Sequence, residues 1–323
     1  MDELLRVNDL KKYFPVTKGI LKKEVASVKA VDGISFVIHA GETFGLVGES
    51  GCGKTTVGKM VLRLLDATDG EILFDGRDLR KLSKSEMREM RKEIQIIFQD
   101  PYGSLNPRMT VYEIIAEPIK KHKLASGEEV TKRVVDLLNR VGLSEREMRK
   151  YPHEFSGGQR QRICIARALA VNPRLIVCDE PVSALDVSVQ SQILNLLKDL
   201  QRDLGVAYLF IAHGMPVVRH MSDRVGVMYL GKLVEVADCN ELFSDPLHPY
   251  SKALISAIPV ADPDHKPQRI VLEGDVPNPI NLNPGCQFYS RCPSACERCK
   301  VDPPQLREVC PGHYVACHFA EKE

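Results

Sequence analysis

Gly48, Gly53, Lys54 and Thr55, within the stretch FGLVGESGCGKTT at 44–56, satisfy the pattern G-x-x-x-x-G-K-[ST] in full. Glycines at this spacing let the backbone wrap an anion, so that successive N–H groups and the positive end of a helix face it. Lys54 adds a mobile positive charge for the outer phosphates, and the Thr55 hydroxyl is a ligand for Mg²⁺. Glu49, Ser50, Gly51, Cys52 and Thr56 complete the lining of the same loop. The chain is therefore expected to bind a nucleoside triphosphate. A second chemical group closes the apolar run PRLIVCDEP at 173–181. Carboxylates ending a strand beside the one that feeds a phosphate loop arrive near its metal ion. Asp179 is suited to hold Mg²⁺ directly or through water, and Glu180 to orient or deprotonate the attacking water. A third group, FSGGQRQR at 155–162, opens a helix with Ser156, Gly157, Gly158 and Gln159. Read alone it is either a second anion site or an ordinary capped helix start.

These residues need strands and helices to hold them. Thr43 to Val47 is a short apolar run suited to a buried strand, and Val57, Met60, Val61, Leu64 and Leu65 then follow the stripe of an amphipathic helix. Further strands are expected at 4–8, 31–38, 70–76, 93–100, Leu175–Cys178 and Val206–Ala212, with a hairpin over Arg224–Val236 turning at Gly231. The lysine-rich stretch from Tyr13 to Lys29 reads as irregular. Helices are expected over 79–92, in blocks from Thr110 to Met148, from Gly158 to Val171 and over 188–204. Strands alternating with helices predict a largely parallel α/β core, with residues of roughly 100–165 as a helical insertion.

At 323 residues the chain is long enough for two domains. Forty-four lysines and arginines against 43 acids give a net charge of +1, which offers no reason to expect nucleic acid as a partner. The start, MDELLRVNDL, lacks the apolar segment of a secretory signal, and no apolar run approaches the length of a membrane span. After about Ile258 the composition changes: ten of the 20 prolines fall between Pro259 and Pro311, and six of the ten cysteines between Cys286 and Cys317. The expected division is a domain over 1–258 and a small irregular cysteine-rich module over 259–323. In a reducing compartment such a cluster points to a metal rather than to disulfides.

Taken together, the phosphate loop, Gln99 in IIFQDP, SGGQ, LIVCDEP, SALD at 183–186 and His213 after YLFIA resemble the ATP-binding-cassette ATPases, over residues 1 to about 255. The resemblance implies a P-loop fold in which ATP and Mg²⁺ are sandwiched between two cassettes facing head to tail. It also implies that Ser156, Gly157 and Gly158 contact the γ-phosphate bound to the partner cassette, and that Asp186 lies across the dimer seam. Gln99 would bridge Mg²⁺ and the membrane-subunit interface, His213 would hold the γ-phosphate and the attacking water, and Tyr13 would stack on adenine. Glu180, His213 and Gln99 are thus the expected catalytic group. One departure is visible: the residue after the histidine is Gly214, where the family usually has aspartate. Members of the family that act in DNA repair carry long coiled coils between phosphate loop and SGGQ, whereas about 100 residues separate Gly48 from Ser156 here. Translation members usually hold two cassettes in one chain.

A finer resemblance spans nearly the whole chain. DLKKYFPV, DPYGSLNPRMTV and DPLHPYSKAL are similar to ATPase subunits of the dipeptide/oligopeptide importers, a group that includes nickel and some oligosaccharide importers. The opening resembles the second of the two unlike ATPase subunits of such importers. This implies a heterodimer with a sister cassette, two membrane permease subunits, an extracytoplasmic substrate-binding protein and a place on the cytoplasmic face of the membrane. Cys286, Cys292, Cys299 and Cys317 resemble the [4Fe–4S] ligand pattern of the group. Cys296, which forms C-x2-C with Cys299, leaves zinc as an alternative.

Overall fold

The computed structural model describes residues 2–18, 23–259, 269–275, 277, 280 and 282–320. Two long strands, β1 (Glu3–Lys18) and β2 (Lys23–His39), precede β3 (Thr43–Val47), the phosphate loop and helix α1 (Lys54–Val61). The hairpin of β4 (Asp69–Phe74) and β5 (Arg77–Asp78) leads to α2 (Lys84–Glu93) and β6 (Ile94–Ile97). Helices α3 (Val111–Lys121), α4 (Glu128–Arg140) and α5 (Gly157–Leu169) come before β7 (Leu175–Asp179), α6 (Val187–Leu204) and β8 (Ala207–Ala212). Then follow α7 (Met215–Met221), β9 (Arg224–Tyr229), β10 (Lys232–Asp238), α8 (Cys239–Ser244) and α9 (Pro249–Ser256). The last elements are α10 (Glu297–Val301), β11 (Arg307–Cys310) and β12 (His313–Val315). No helix among the described residues is long and apolar enough to cross a membrane.

The chain divides into two compact units. One comprises residues up to Leu4, 38–43 and 81–211. Its sheet is parallel, with Ile97 of β6 beside Cys178 of β7 and Cys178 beside Phe210 of β8. β7 is buried along its whole length, as is the continuous apolar run of β8, which is the pattern of strands covered on both faces. The helical segment takes its boundaries from capping boxes, Ser83 with Glu86 for α2 and Thr110 with Glu113 for α3. Helix α6 buries Ile193, Leu194, Leu197 and Leu200. Leu204 is 44% exposed, because it stands at the last turn before the left-handed Gly205 cap.

The other unit comprises residues 5–37, 44–80 and 212 onward. It holds an antiparallel sheet ordered β2-β1-β4-β5 and a strand set ordered β11-β12-β10-β9-β3. β3 runs parallel to β9, while β9, β10, β12 and β11 pair antiparallel. The expectation of a largely parallel core therefore holds only for part of the molecule. The stretch Tyr13–Lys29 is also corrected: its described residues belong to the long strands β1 and β2. Backbone pairing in an edge ladder satisfies their N–H and C=O groups without a strict apolar alternation. Helix α1 is shorter than its apolar stripe suggested. Arg63 adopts φ 49 and turns the chain, leaving Leu64 53% exposed.

The cysteine-rich end is tied into this second unit. Val315 of β12 pairs with Glu235 of β10, so the C-terminal hairpin continues the strand set that contains β3. Phe288 is buried against Tyr229, Tyr250 and His248, with ring centroids 5.2, 5.5 and 5.6 Å away. A segment too irregular to build its own core is held by a strand and an aromatic plug.

Candidate active site

The phosphate loop leaves β3 and enters α1 through two glycines that no other residue could replace. Gly48 has φ 157, and a Cβ there would lie 2.1 Å from the Met228 carbonyl oxygen. Gly53, the N-cap of α1, has φ 107, and its Cβ would lie 2.1 Å from the Ala30 carbonyl oxygen. No N-cap side chain closes α1, which leaves its N-terminal end suited to an anion. Lys54 is 3% exposed, and its ammonium donates to the carbonyls of Gly48 and Glu49 at 2.8 and 3.0 Å. The loop thus folds its own lysine inward, where a phosphate would exchange for two neutral acceptors. Cys52 is buried, and that burial pushes its thiol up, against the lowering influence of Lys54. Its environment is that of a packed small residue rather than a reactive thiolate.

Asp179 and Glu180 end β7, both 5% exposed. Glu180 adopts φ 51, a left-handed conformation that costs a non-glycine residue about 1–2 kcal/mol. The backbone holds it there: the Glu180 N–H donates to the Ile211 carbonyl at 2.9 Å, and Ser183 Oγ donates to the Glu180 carbonyl at 3.1 Å. Its carboxylate accepts a 2.8 Å hydrogen bond from the amide of Gln99. Two residues 81 positions apart, chosen from sequence as one catalytic group, are therefore in direct contact.

Ser156 is the N-cap of α5 in a complete capping box: its Oγ accepts from the Gln159 N–H, and Gln159 Oε1 accepts from the Ser156 N–H at 3.1 Å. Both readings of SGGQ survive, because the capped hydroxyl still has a proton to donate and Ser156 and Gly157 are exposed. Gly158 is demanded by packing. A Cβ there would lie 2.4 Å from Val189 Cγ1 of α6. Asp186, the N-cap of α6, is exposed and makes no side-chain cap. These residues lie in the unit with Asp179, Glu180 and Gln99.

Tyr13 and His213 lie in the unit of the phosphate loop. The Tyr13 hydroxyl makes a short hydrogen bond to Asp32, which also pairs with Lys232 at 3.1 Å. The Lys29 ammonium stands 5.5 Å from the Tyr13 ring centre. His213 is exposed immediately after β8. Gly214 is the N-cap of α7 at φ −86, a conformation open to any residue, and Pro216 occupies its first turn. The glycine therefore removes a capping side chain without imposing a special backbone.

Cys286, Cys292, Cys299 and Cys317 line one cavity of about 120 Å³, together with His248, Phe288 and His318. Burial pushes the Cys286 thiol up to about 11, and the other three thiols push it the same way. Cys296 and Cys310 do not line that cavity. Cys296 Sγ does lie 3.7 Å from Cys299 Sγ, near the roughly 3.8 Å that two thiolates on one tetrahedral zinc would take. Among the described residues, however, no third Cys, His, Asp or Glu ligand atom lies within 4.8 Å of both.

Two partners of the phosphate loop escaped the sequence reading. Arg291, 8% exposed and adjacent to Cys292, grips the Glu49 carboxylate through both terminal nitrogens at 2.9 and 3.2 Å. The Tyr250 hydroxyl accepts the Glu49 N–H at 3.0 Å. The local signal was slight: an arginine in GCQFYSRCP and a tyrosine in DPLHPYSKAL, each more than 200 positions from its partner.

A phosphate loop on a buried strand, a strand ending in two acids and a capped SGGQ helix define an ATP-binding cassette. The family described as ABC transporter matches residues 31–183, and the family described as oligopeptide/dipeptide transporter, C-terminal region, matches residues 234–299. The chain is 52% identical over 321 residues to the oligopeptide transport ATP-binding protein AppF of Bacillus subtilis strain 168, covering 98% of each chain. It is 50% identical to OppF of the same organism, covering 99% of this chain and 98% of that one. The solved structure of the ATP-binding cassette MJ0796 bound to ADP and Pi superposes with a TM-score of 0.65 at 29% identity, over 73% of this chain and 99% of the other. Structure of cbiO1 from Clostridium perfringens gives a TM-score of 0.65 at 29% identity, over 76% and 92%. The chain belongs to the ABC transporter ATP-binding proteins of the oligopeptide/dipeptide transport family.

Proposed function

We propose that this chain is the ATP-hydrolysing subunit of an importer for di- or oligopeptides. One observation carries the reading: the buried Glu180, fixed at the end of β7 and held by Gln99, belongs to a chain similar along 98% of its length to an oligopeptide transport ATP-binding protein. In this reading the N–H groups of Glu49 to Thr56 and the Lys54 ammonium hold the phosphates of ATP. Thr55, Asp179 and Gln99 supply hard oxygen ligands suited to Mg²⁺. When bound, Mg²⁺ neutralises charge on the β- and γ-phosphate oxygens. Glu180 accepts the proton of the attacking water, Gln99 fixes the carboxylate that does so, and His213 steadies the γ-phosphate. Because catalysis of phosphoryl transfer is mostly positioning and charge, the preset backbone at Glu180 matters as much as its basicity. Tyr13 offers a ring face for adenine.

Ser156, Gly157, Gly158 and Gln159 act on ATP held by a sister cassette, with Asp186 at the seam. The protein sits peripherally on the cytoplasmic face of the membrane, where its helical segment engages the two permease subunits; an extracytoplasmic binding protein delivers cargo to them. We place the ATPase domain at 1–258 and a docked cysteine-rich module at 259–323.

The cavity lined by Cys286, Cys292, Cys299 and Cys317 fits a [4Fe–4S] cluster better than zinc. Its four thiols surround one space, yet no three of them come within 4.8 Å of one another among the described residues. Such a cluster would supply a covalent staple for an otherwise irregular segment. About four iron and four sulfide per chain in anaerobically purified protein supports it, and their absence removes it.

The function is tested with inverted or reconstituted membranes carrying the permeases. Peptide-stimulated ATP hydrolysis and ATP-dependent peptide uptake are expected, both lost in Glu180→Gln. Uptake of nickel or an oligosaccharide in place of peptide, or hydrolysis indifferent to the permeases, contradicts it.

A further inference from the structure

We infer that Glu241, Cys310 and His313 form a binding site for one divalent cation of the zinc class, separate from the four-cysteine cavity. Their ligand atoms all lie within 4.8 Å of one another. Cys310 and His313 are paired residues across the β11–β12 hairpin, whose turn is made by Pro311 and the left-handed Gly312 at φ 78. Glu241 comes from the first turn of α8. Its Oε1 lies 3.6 Å from Cys310 Sγ and 3.4 Å from His313 Nδ1.

What distinguishes this cluster from a chance meeting is the fixed orientation of the imidazole. His313 is fully buried, and its Nε2 lies 2.7 Å from Oε1 of the fully buried Glu235. That carboxylate is itself held by the N–H groups of Leu247 and His248 at 2.7 and 3.1 Å. A carboxylate only accepts, so Nε2 carries a proton and the opposite nitrogen, Nδ1, is aimed at Glu241 and Cys310. Buried Nδ1 makes no well-formed hydrogen bond and meets Glu241 Oε1 only at the long distance of 3.4 Å. An imidazole nitrogen, a carboxylate oxygen and a sulfur converging in this way make a donor set that one cation can fill. A carboxylate behind a histidine is the arrangement that orients metal-binding imidazoles and raises their basicity. Thiolate and imidazole together select a borderline-soft ion over Mg²⁺ or Ca²⁺, and three protein ligands leave one tetrahedral position for water. Cys310 and Glu241 are half-buried, which gives the ion a path in. The site joins α8 to the last hairpin within the unit that carries the phosphate loop. The competing occupant is a proton on Nδ1, which makes His313 a buried cation between Glu235 and Glu241.

Cobalt titration of the whole purified chain separates the two, with iron and sulfide assayed in the same samples so that the four-cysteine proposal is scored independently. The wild type is expected to take up one Co²⁺ with a thiolate-to-cobalt charge-transfer band, displaced by Zn²⁺, and to melt at higher temperature with metal. Cys310→Ala is expected to lose the band and to bind on the order of 100-fold more weakly, with iron content unchanged. Glu241→Gln, which keeps the thiol, is expected to retain the band but bind roughly 10-fold more weakly. No cobalt band in the wild type overturns the proposal, as does an undiminished band and affinity in Cys310→Ala. Should Cys310→Ala fail to fold, undiminished affinity in Glu241→Gln overturns it equally.

Discussion

Helices α1 and α5 both begin on glycine-bearing turns that suit an anion, yet their first turns are finished in opposite ways. At α1 the N-cap is Gly53, with no capping side chain, and the loop's own lysine, Lys54, is folded back on carbonyls of that loop. At α5 the N-cap is Ser156, and a capping box has already satisfied two backbone donors within the motif. An uncapped helix end carries a standing cost that a phosphate relieves, so α1 is built to hold a ligand. A capped end is stable alone and can only lend its remaining N–H groups and a hydroxyl proton, which suits the proposed role of α5 in closing on a ligand held elsewhere. The difference teaches that similar Gly/Ser motifs divide into holding and closing roles according to what already fills the first turn.

Removing the holding charge should have the largest effect. Lys54→Ala is expected to lower hydrolysis on the order of 100–1000-fold or more and to abolish binding in a fluorescent-nucleotide titration. Wild-type affinity in that variant would break the comparison. Glu180→Gln should lower the single-turnover rate by roughly 100- to 10,000-fold while ATP affinity stays intact, if Glu180 has the proposed role of acting on the attacking water. A parallel loss of affinity would move Glu180 into the binding role.

Smaller effects sharpen the structural side. Gly158→Ala drives a methyl into Val189 and is expected to cost about 1–3 kcal/mol in denaturant unfolding, with Val189→Ala restoring most of it. If the second change gives no rescue, the glycine is needed for the ligand and not for packing. Arg291→Ala leaves the Glu49 carboxylate without its fork and should cost about 1.5–3 kcal/mol, read as a lower unfolding midpoint, with lysine a partial substitute. An unchanged midpoint would show that the loop does not depend on the cysteine-rich end.

What the sequence made legible follows from range. The phosphate loop, the acids after β7 and the SGGQ cap are each written in fewer than ten consecutive residues, and the structure shows each in the expected local setting. The contact of Gln99 with Glu180 was reachable only through the family resemblance. Pairings between distant segments left little local trace: β1 and β2 extend through a lysine-rich stretch without clean alternation, and β12 joins β10 after a proline-rich segment. Arg291 on Glu49 and His313 on Glu235 are contacts whose partners stand 242 and 78 positions apart, and nothing in either neighbourhood announces the other.

The most direct test of the division between holding and closing is Ser156→Ala measured twice. The closing role predicts that ATP affinity of the isolated chain stays at the wild-type value, that folding stability falls by about 1 kcal/mol from the lost cap, and that hydrolysis by the assembled transporter drops. If Ser156→Ala weakens ATP binding by the isolated chain as Lys54→Ala does, α5 holds the chain's own nucleotide and the account is wrong.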